Sequence, residues 1–403
     1  MPICGFFVFQ LATVIYPDSM RRATKFSIVA LLLYVVTIPM DAATMTTFPD
    51  GAQRPRPTPR SRPSPLPRPT PAVPRGVFCL LPEGQGVGPD PSVYFNPDLD
   101  GISVRQGWGD LESTEGIFDW SFLDAVIARA TEAGKPVLLR IVTGGGDIAL
   151  GGSVPSWVMN AVAAEPLPDS QKFYTFHDGQ RVVTIAVFWD SVWLAKKTAM
   201  ITAVGARYSS NPIVKIVSAS FANANSEDWA VPHEPLETDA WLAAGYTSAQ
   251  MLDAGRQIVD ATMTAFHNQF VTLAVAGNGP RLDPDPSYVA RNAVLNAHAS
   301  WPGRLIVQKN SLATHIPNAP GTGTVWELLW DNRPNVGGQM LWWCYDDPTY
   351  RVNDGVPIDP SIALVNSVDK GVAYGMKYIE IYRTDVVNLP DATHYAHIAL
   401  TAP

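Results

Sequence analysis

The chain has 403 residues, 46% of them apolar and 16% charged, with a formal net charge of −8. That length holds one large α/β barrel or two average domains, and the apolar content supplies a sizeable core. The low charge and acidic balance argue against a disordered or nucleic-acid-binding chain.

The first 43 residues read as a signal peptide or signal anchor. Arg21, Arg22 and Lys25 precede the apolar run FSIVALLLYVVTIP at 26–39. This pattern is a positive n-region followed by an h-region too short to span a membrane comfortably. Cleavage is expected near Ala42 or Ala43. A second apolar run before Met20 lacks leading positive charge, so Met20 is a candidate start. The expected location is secreted, extracellular or periplasmic. The alternative is a membrane tether through an uncleaved segment.

Residues 44–75 form a Pro/Arg-rich linker. Ten of the 36 prolines lie between Pro49 and Pro74. Proline fixes φ and removes a donor, so this stretch reads as a solvated polyproline-type spacer. The charge divides accordingly. Residues 1–75 carry nine Lys/Arg and three acids, net +6, which leaves 20 and 34 in residues 76–403, net −14.

From residue 76 the sequence alternates short β-rich runs with amphipathic stretches. The strand candidates are 76–81, 101–108, 136–144, 213–221, 271–279, 304–312, 337–345 and 378–386. Most are almost continuously apolar, as parallel strands buried on both faces must be. Helical periodicity covers 120–133, 190–208, 249–267, 285–299 and 359–370. In the first of these, Leu123, Val126, Ile127 and Ala130 share one stripe and Gly134 is a stop signal. Residues 172–188, with Asp178-Gly179 between two β-rich runs, read as an inserted hairpin.

Eight β/α units over residues 76–403 predict a (β/α)8 TIM barrel. A doubly wound sheet is the alternative, but no Gly-x-Gly-x-x-Gly follows an early strand. The run Gly144-Gly145-Gly146 lacks the Lys-Ser/Thr of a phosphate loop. Cys79 and Cys344 lie in apolar runs and read as buried free thiols, with pairing left open. His394 and His397 read as helix-surface residues. No metal-ligand spacing stands out and no cofactor is expected.

In such a barrel, chemistry gathers where strands end at their C-terminal side. The second candidate strand ends with Arg105, Gln106 and Trp108, and the fourth runs into Asn223, Asn225, Glu227 and Trp229. The sixth carries Gln308 and Asn310. The seventh carries Gln339, Trp342 and Trp343, then Asp346 and Asp347; the eighth carries Glu380, Tyr382 and Asp385. Amides and carboxylates bind hydroxyls and indole faces stack on sugar C–H surfaces, so the set suits an oligo- or polysaccharide. All twelve tryptophans follow residue 107, and several must serve the core.

The stretch GISVRQGWGDLESTEGIFDWSFLDAVIARATEAGKPVLLRI resembles the strand 2 to strand 3 region of clan A glycoside hydrolases. It is closest to the β-galactosidase-like proteins of the family 42/35 type. SASFANANSEDW is similar to their strand 4 end, where Asn followed by Glu supplies the acid/base. The resemblance implies a (β/α)8 barrel that cleaves O-glycosidic bonds, with Glu227 as general acid/base. Two features depart from the pattern. Ser226 separates Asn225 from Glu227, and the seventh strand, GGQMLWWCYDDP, has no Glu where the clan keeps its nucleophile.

The second carboxylate is therefore open between Glu380, Asp346 and Asp347. A lone Glu between Ile379 and Ile381 in a buried strand needs a partner or a purpose. The structural reading pairs it with Arg105 or Arg383. Glu112 reads as structural. Arg105 is expected to orient a carboxylate, and Gln106, Asn223, Asn225, Gln308, Asn310, Gln339 and Tyr382 to bind hydroxyls. Trp108, Trp229 and Trp343 are the candidate platforms. Two further readings stay open: a polysaccharide-binding barrel without catalysis, and an inverting hydrolase that uses Asp346 or Asp347 through water.

Overall fold

The computed structural model describes residues 72–82, 91–143, 154–178, 181–219, 235–277, 282–283, 285–333 and 335–402. The expected export signal and nearly all of the expected linker lie outside them. Among the described residues, no helix is long and apolar enough to cross a membrane.

Among the described residues, ten strands follow in chain order. They are β1 (Gly76–Leu80), β2 (Gly101–Gly107), β3 (Val137–Val142), β4 (Phe173–Asp178), β5 (Arg181–Ala186), β6 (Val214–Ser218), β7 (Phe270–Ala274), β8 (Leu305–Leu312), β9 (Val336–Met340) and β10 (Met376–Tyr382). Eight of them close a parallel barrel in the order β1-β10-β9-β8-β7-β6-β3-β2, while β4 and β5 form a separate antiparallel hairpin. All eight expected barrel strands are present, and the hairpin falls where the Asp178-Gly179 signal placed it.

The helices form at their sequence signals. Asp190 caps Ser191–Tyr208 by accepting from Trp193 N–H, and Thr247 caps Ser248–Ala265 by accepting from Gln250 N–H. Asp359 accepts from Ser361 and Ile362 N–H ahead of Pro360–Ala373, with proline at the first helical position. Helix Ser121–Glu132 buries the expected stripe of Leu123, Val126, Ile127 and Ala130. Gly134 follows it at φ +66°, a conformation that carries little cost only for glycine.

Strand ends differ from the apolar runs. The expected strand 337–345 stops at Met340, because Cys344 and Tyr345 donate their N–H groups to the Asp385 carboxylate instead of to a neighbouring strand. The expected strand 378–386 stops at Tyr382, and Arg383–Asn388 turns helical.

The inside of the barrel is stacked in layers. At the bottom, Phe78, Leu138, Ile216, Phe270, Ile306 and Tyr378 form a closed apolar cluster. Two glycines make room for its rings. A Cβ on Gly101 would meet the Phe78 ring at 2.3 Å, and one on Gly337 would meet the Tyr378 ring at 2.4 Å. The larger core lies between barrel and helices, where parallel strands bury their second face.

Several tryptophans belong to that outer core. Trp241 stacks on Tyr174 of the hairpin at 4.7 Å and packs against Phe188 and Trp189. This cluster docks β4 and helix Pro235–Ala243 on each other. Cys79 and Cys344 are buried cysteines. His394 and His397, on the C-terminal helix Pro390–Thr401, contact Asp98 and Asp100.

Candidate active site

One step above the apolar layer, the barrel interior is polar and fully enclosed. Side chains alternate along a strand, so Tyr378, Glu380 and Tyr382 of β10 all point inward. Glu380 has no exposure. Its Oε2 accepts from Arg140 Nη2 at 3.0 Å and from Gln308 Nε2 at 2.7 Å, and its Oε1 accepts from Ser103 Oγ. Arg140 Nη1 also donates to Gln339 Oε1 at 3.1 Å. Gln308 Oε1 accepts from Tyr378 Oη at 2.6 Å and from Thr272 Oγ1 at 3.0 Å. Burial first, and then the Glu380 charge, push the Tyr378 phenol up, so it stays a donor.

These contacts correct the sequence expectation for Glu380. Its partner is Arg140, and neither Arg105 nor Arg383. A carboxylate with zero exposure that already accepts three side-chain hydrogen bonds has no free face toward a sugar. Gln308 and Gln339 are buried in the same network. The sequence reading missed Arg140, Ser103, Thr272 and Tyr378. The available signal was the lone Arg in VLLRIV, as conspicuous in a strand buried on both faces as the lone Glu in YIEIY.

The rim of the mouth is built by the ends of β8, β9 and β10. Trp342 and Trp343 stack at 4.0 Å between centroids, and Tyr382 meets Trp343 at 5.9 Å. Arg351 lies over the Trp342 ring at 4.6 Å. All three aromatic residues are half-buried, as is Asn310. Asn310 Oδ1 accepts from Gln308 Nε2 at 2.7 Å, which joins the rim to the buried network.

Asp385 fixes this rim. It is buried, and its carboxylate accepts from Cys344 N–H and Tyr345 N–H at 2.8 to 2.9 Å. Burial pushes its pKa up to about 6, with nearby Asp347 adding to the rise and the backbone donors opposing it. Asp347 closes its own turn, accepting from Thr349 N–H, Thr349 Oγ1 and Arg351 N–H. Burial opposes its ionisation, but these donors hold it below the usual carboxylate range. Asp346 is exposed, at φ +58°, in the same loop.

Three other expected binders lie elsewhere. Trp108 has no exposure; its Nε1 donates to Glu112 Oε2 at 2.7 Å and its ring meets Trp157 edge-on, so it is a core residue rather than a platform. Glu112 also accepts from Gly116 N–H, which ties the turn after β2. Gln106 alternates with the inward Ser103 and Arg105, so it faces the helix layer and is 1% exposed. Arg105 Nε donates to the Leu81 carbonyl at 3.3 Å. Asn223, Asn225, Glu227 and Trp229 lie outside the described residues. Among the described residues, no group of His, Cys, Asp and Glu could hold a metal ion.

A closed eight-stranded parallel barrel with sugar-suited groups at its C-terminal mouth is a glycoside hydrolase-like (β/α)8 barrel. The family model described as beta-galactosidase, glycoside hydrolase family 42, matches residues 101–254, from the start of β2 into helix Ser248–Ala265. The match covers less than half of the chain, and over that part of the barrel the chain is similar to this family. No curated protein matches the chain. Among solved structures, the catalytic domain of β-amylase from Paenibacillus polymyxa is 12% identical, with a TM-score of 0.52, covering 81% of this chain and 99% of that one. Xylanase B from Clostridium stercorarium F9 is 13% identical, with a TM-score of 0.44, covering 81% and 97%. A β-galactosidase from the Antarctic haloarchaeon Halorubrum lacusprofundi is 13% identical, with a TM-score of 0.43, covering 76% and 52%. Likeness at these identities speaks for the fold alone, and only the first comparison is close enough to do so.

Proposed function

We propose that this protein is a secreted hydrolase that cleaves O-glycosidic bonds of an oligo- or polysaccharide at the C-terminal mouth of the barrel. The observation that carries the proposal is the rim itself, where Trp342, Trp343 and Tyr382 stack on one another beyond β9 and β10 and Asn310 lies on the mouth side of the neighbouring β8. The family match also spans the segment that contains Glu227.

Glu227 is proposed as the general acid that protonates the leaving oxygen. The second carboxylate is assigned to Asp346. Glu380 is spent on Arg140, Ser103 and Gln308, and Asp347 on its turn. Asp346 is exposed, has no hydrogen bond to another described residue, and belongs to the loop after β9. Acting through water it gives inversion, which requires the two carboxyl groups about 6.5–9.5 Å apart.

Glu227→Gln and Asp346→Asn test both roles on a panel of aryl glycosides, with circular dichroism as the folding control. Each should lower kcat by about 10²–10⁴, and NMR of the first-formed product should show the inverted anomer. Undiminished turnover by Glu227→Gln overturns the assignment of the acid. Sugar binding by the wild type without any turnover would instead establish a polysaccharide-binding barrel, a reading favoured by the structural commitment of Glu380 and Asp347. N-terminal sequencing of the native protein tests export: a start near Ala43 supports it, and an intact Met1 or Met20 supports a tether.

A further inference from the structure

The polar layer fixes the direction of every hydrogen bond that leads up to the rim. Glu380 faces the guanidinium of Arg140 and accepts on both oxygens, so it is an acceptor only. Gln308 must then turn its NH2 group toward Glu380, and its carbonyl falls toward the Tyr378 and Thr272 hydroxyls, which both donate to it. One N–H of Gln308 is used on Glu380. The other points up the barrel at Asn310, 2.7 Å away, and demands an acceptor there. Asn310 therefore presents Oδ1 downward, and its NH2 group is turned away from the network.

That NH2 group has no partner among the described residues. Asn310 is half-buried, one inward position above Gln308, on the mouth side of β8. An amide held in one orientation by a buried ion pair is a preorganised donor, and preorganisation lowers the ordering cost of binding. It cannot serve a cation, because it offers only N–H groups. A free anion is disfavoured by the net charge of −14 over residues 76–403. A neutral oxygen fits it.

Building on the proposed sugar site, we infer that Asn310 is a specificity-determining residue whose Nδ2 donates to one hydroxyl oxygen of the bound sugar, its direction set by the chain Arg140–Glu380–Gln308. The sugar hydroxyl acts there as acceptor. Glu380 thereby takes part as a positioning residue and does not touch the substrate.

The test uses the full chain, with calorimetric titration of methyl β-D-galactoside, β-D-glucoside and β-D-xyloside. For the sugar bound best, its monodeoxy and monodeoxyfluoro derivatives follow. In the wild type, one deoxy position should weaken binding about tenfold, the range of a single hydrogen bond. The fluoro derivative at that position, which can accept but not donate, should recover part of the loss. In Asn310→Ala the penalty at that position should vanish while penalties at other positions persist. Asn310→Asp keeps the acceptor that Gln308 needs but replaces the donor with an acceptor, so it should retain the wild-type melting temperature and lose the recovery by the fluoro derivative. Loss of the Oδ1 that Gln308 donates to lowers the melting temperature of Asn310→Ala under either reading, but a residue that merely braces Gln308 predicts the same deoxy penalties in every variant. Identical penalties in wild type and Asn310→Ala overturn the inference while sugar binding and turnover still uphold the hydrolase reading. Failure to bind any of the three glycosides overturns both.

Discussion

Two acidic regions of the barrel, one inside it and one at its rim, do different work. Inside, Glu380 is sealed from water and surrounded by donors that neutralise and orient it. At the rim, Asp385 and Asp347 organise backbone, and Asp346 is left facing solvent. The difference teaches that a carboxylate in an apolar strand is a poor indicator of catalysis by itself. A charge in a closed interior persists only with a partner, and that partner consumes the lone pairs that chemistry would need.

The largest effect is expected at the buried carboxylate. Glu380→Gln removes the carboxylate from the buried ion pair with Arg140, and should cost about 3–5 kcal/mol of stability in chemical denaturation. A variant that keeps wild-type stability but loses turnover would instead make Glu380 a catalytic residue.

At the rim, Asp385→Asn replaces an acceptor pair facing two backbone N–H groups by an amide that also donates. The expected loss is about 1.5–3 kcal/mol, read as a lower melting temperature, together with a change in the fluorescence of the adjacent Trp342–Trp343 pair. This loss also depends on pH. The folded pKa of about 6 lies above the value of an unfolded aspartate, near 3.9. By linkage, the titration of Asp385 contributes most to stability below about pH 4, and that contribution is lost as pH rises through about 6. The asparagine variant lacks this titration. The melting-temperature gap between wild type and Asp385→Asn should therefore be wider at pH 4 than at pH 7. A gap that widens toward neutral pH would contradict the raised pKa.

The smallest effect concerns the thiols. Burial, aided by Asp385 and Asp347, pushes the Cys344 thiol up, and Cys79 is sealed in the core. A reductant should leave the melting temperature unchanged, and a thiol reagent should label neither residue before unfolding. A reductant-sensitive melt would show a disulfide.

Much of the architecture was legible because it rests on local rules. Strands buried on both faces read as apolar runs, helices show their stripes, and Asp190, Thr247 and Asp359 announce helix starts. The candidate site was legible in part. Asn310, Trp343 and Tyr382 are placed at the mouth by their position near strand ends. Trp108 and Gln106 stood in equivalent positions and were misread, because strand alternation and a turn after β2 carry them into the helix layer. No local pattern distinguishes these outcomes, since each depends on which face a neighbouring strand closes.

By itself, then, the sequence determined the eight-fold β/α repeat, the inserted hairpin, an acidic barrel sequence preceded by a basic proline-rich stretch, and the presence of amide, carboxylate and indole side chains near the strand ends. Only the tertiary structure decided which of those residues meet. Arg140 and Glu380 are 240 positions apart, yet closure of the barrel brings their side chains to 3.0 Å. Pairing of this kind depends on barrel closure and strand register, properties of the whole sheet that no single segment encodes.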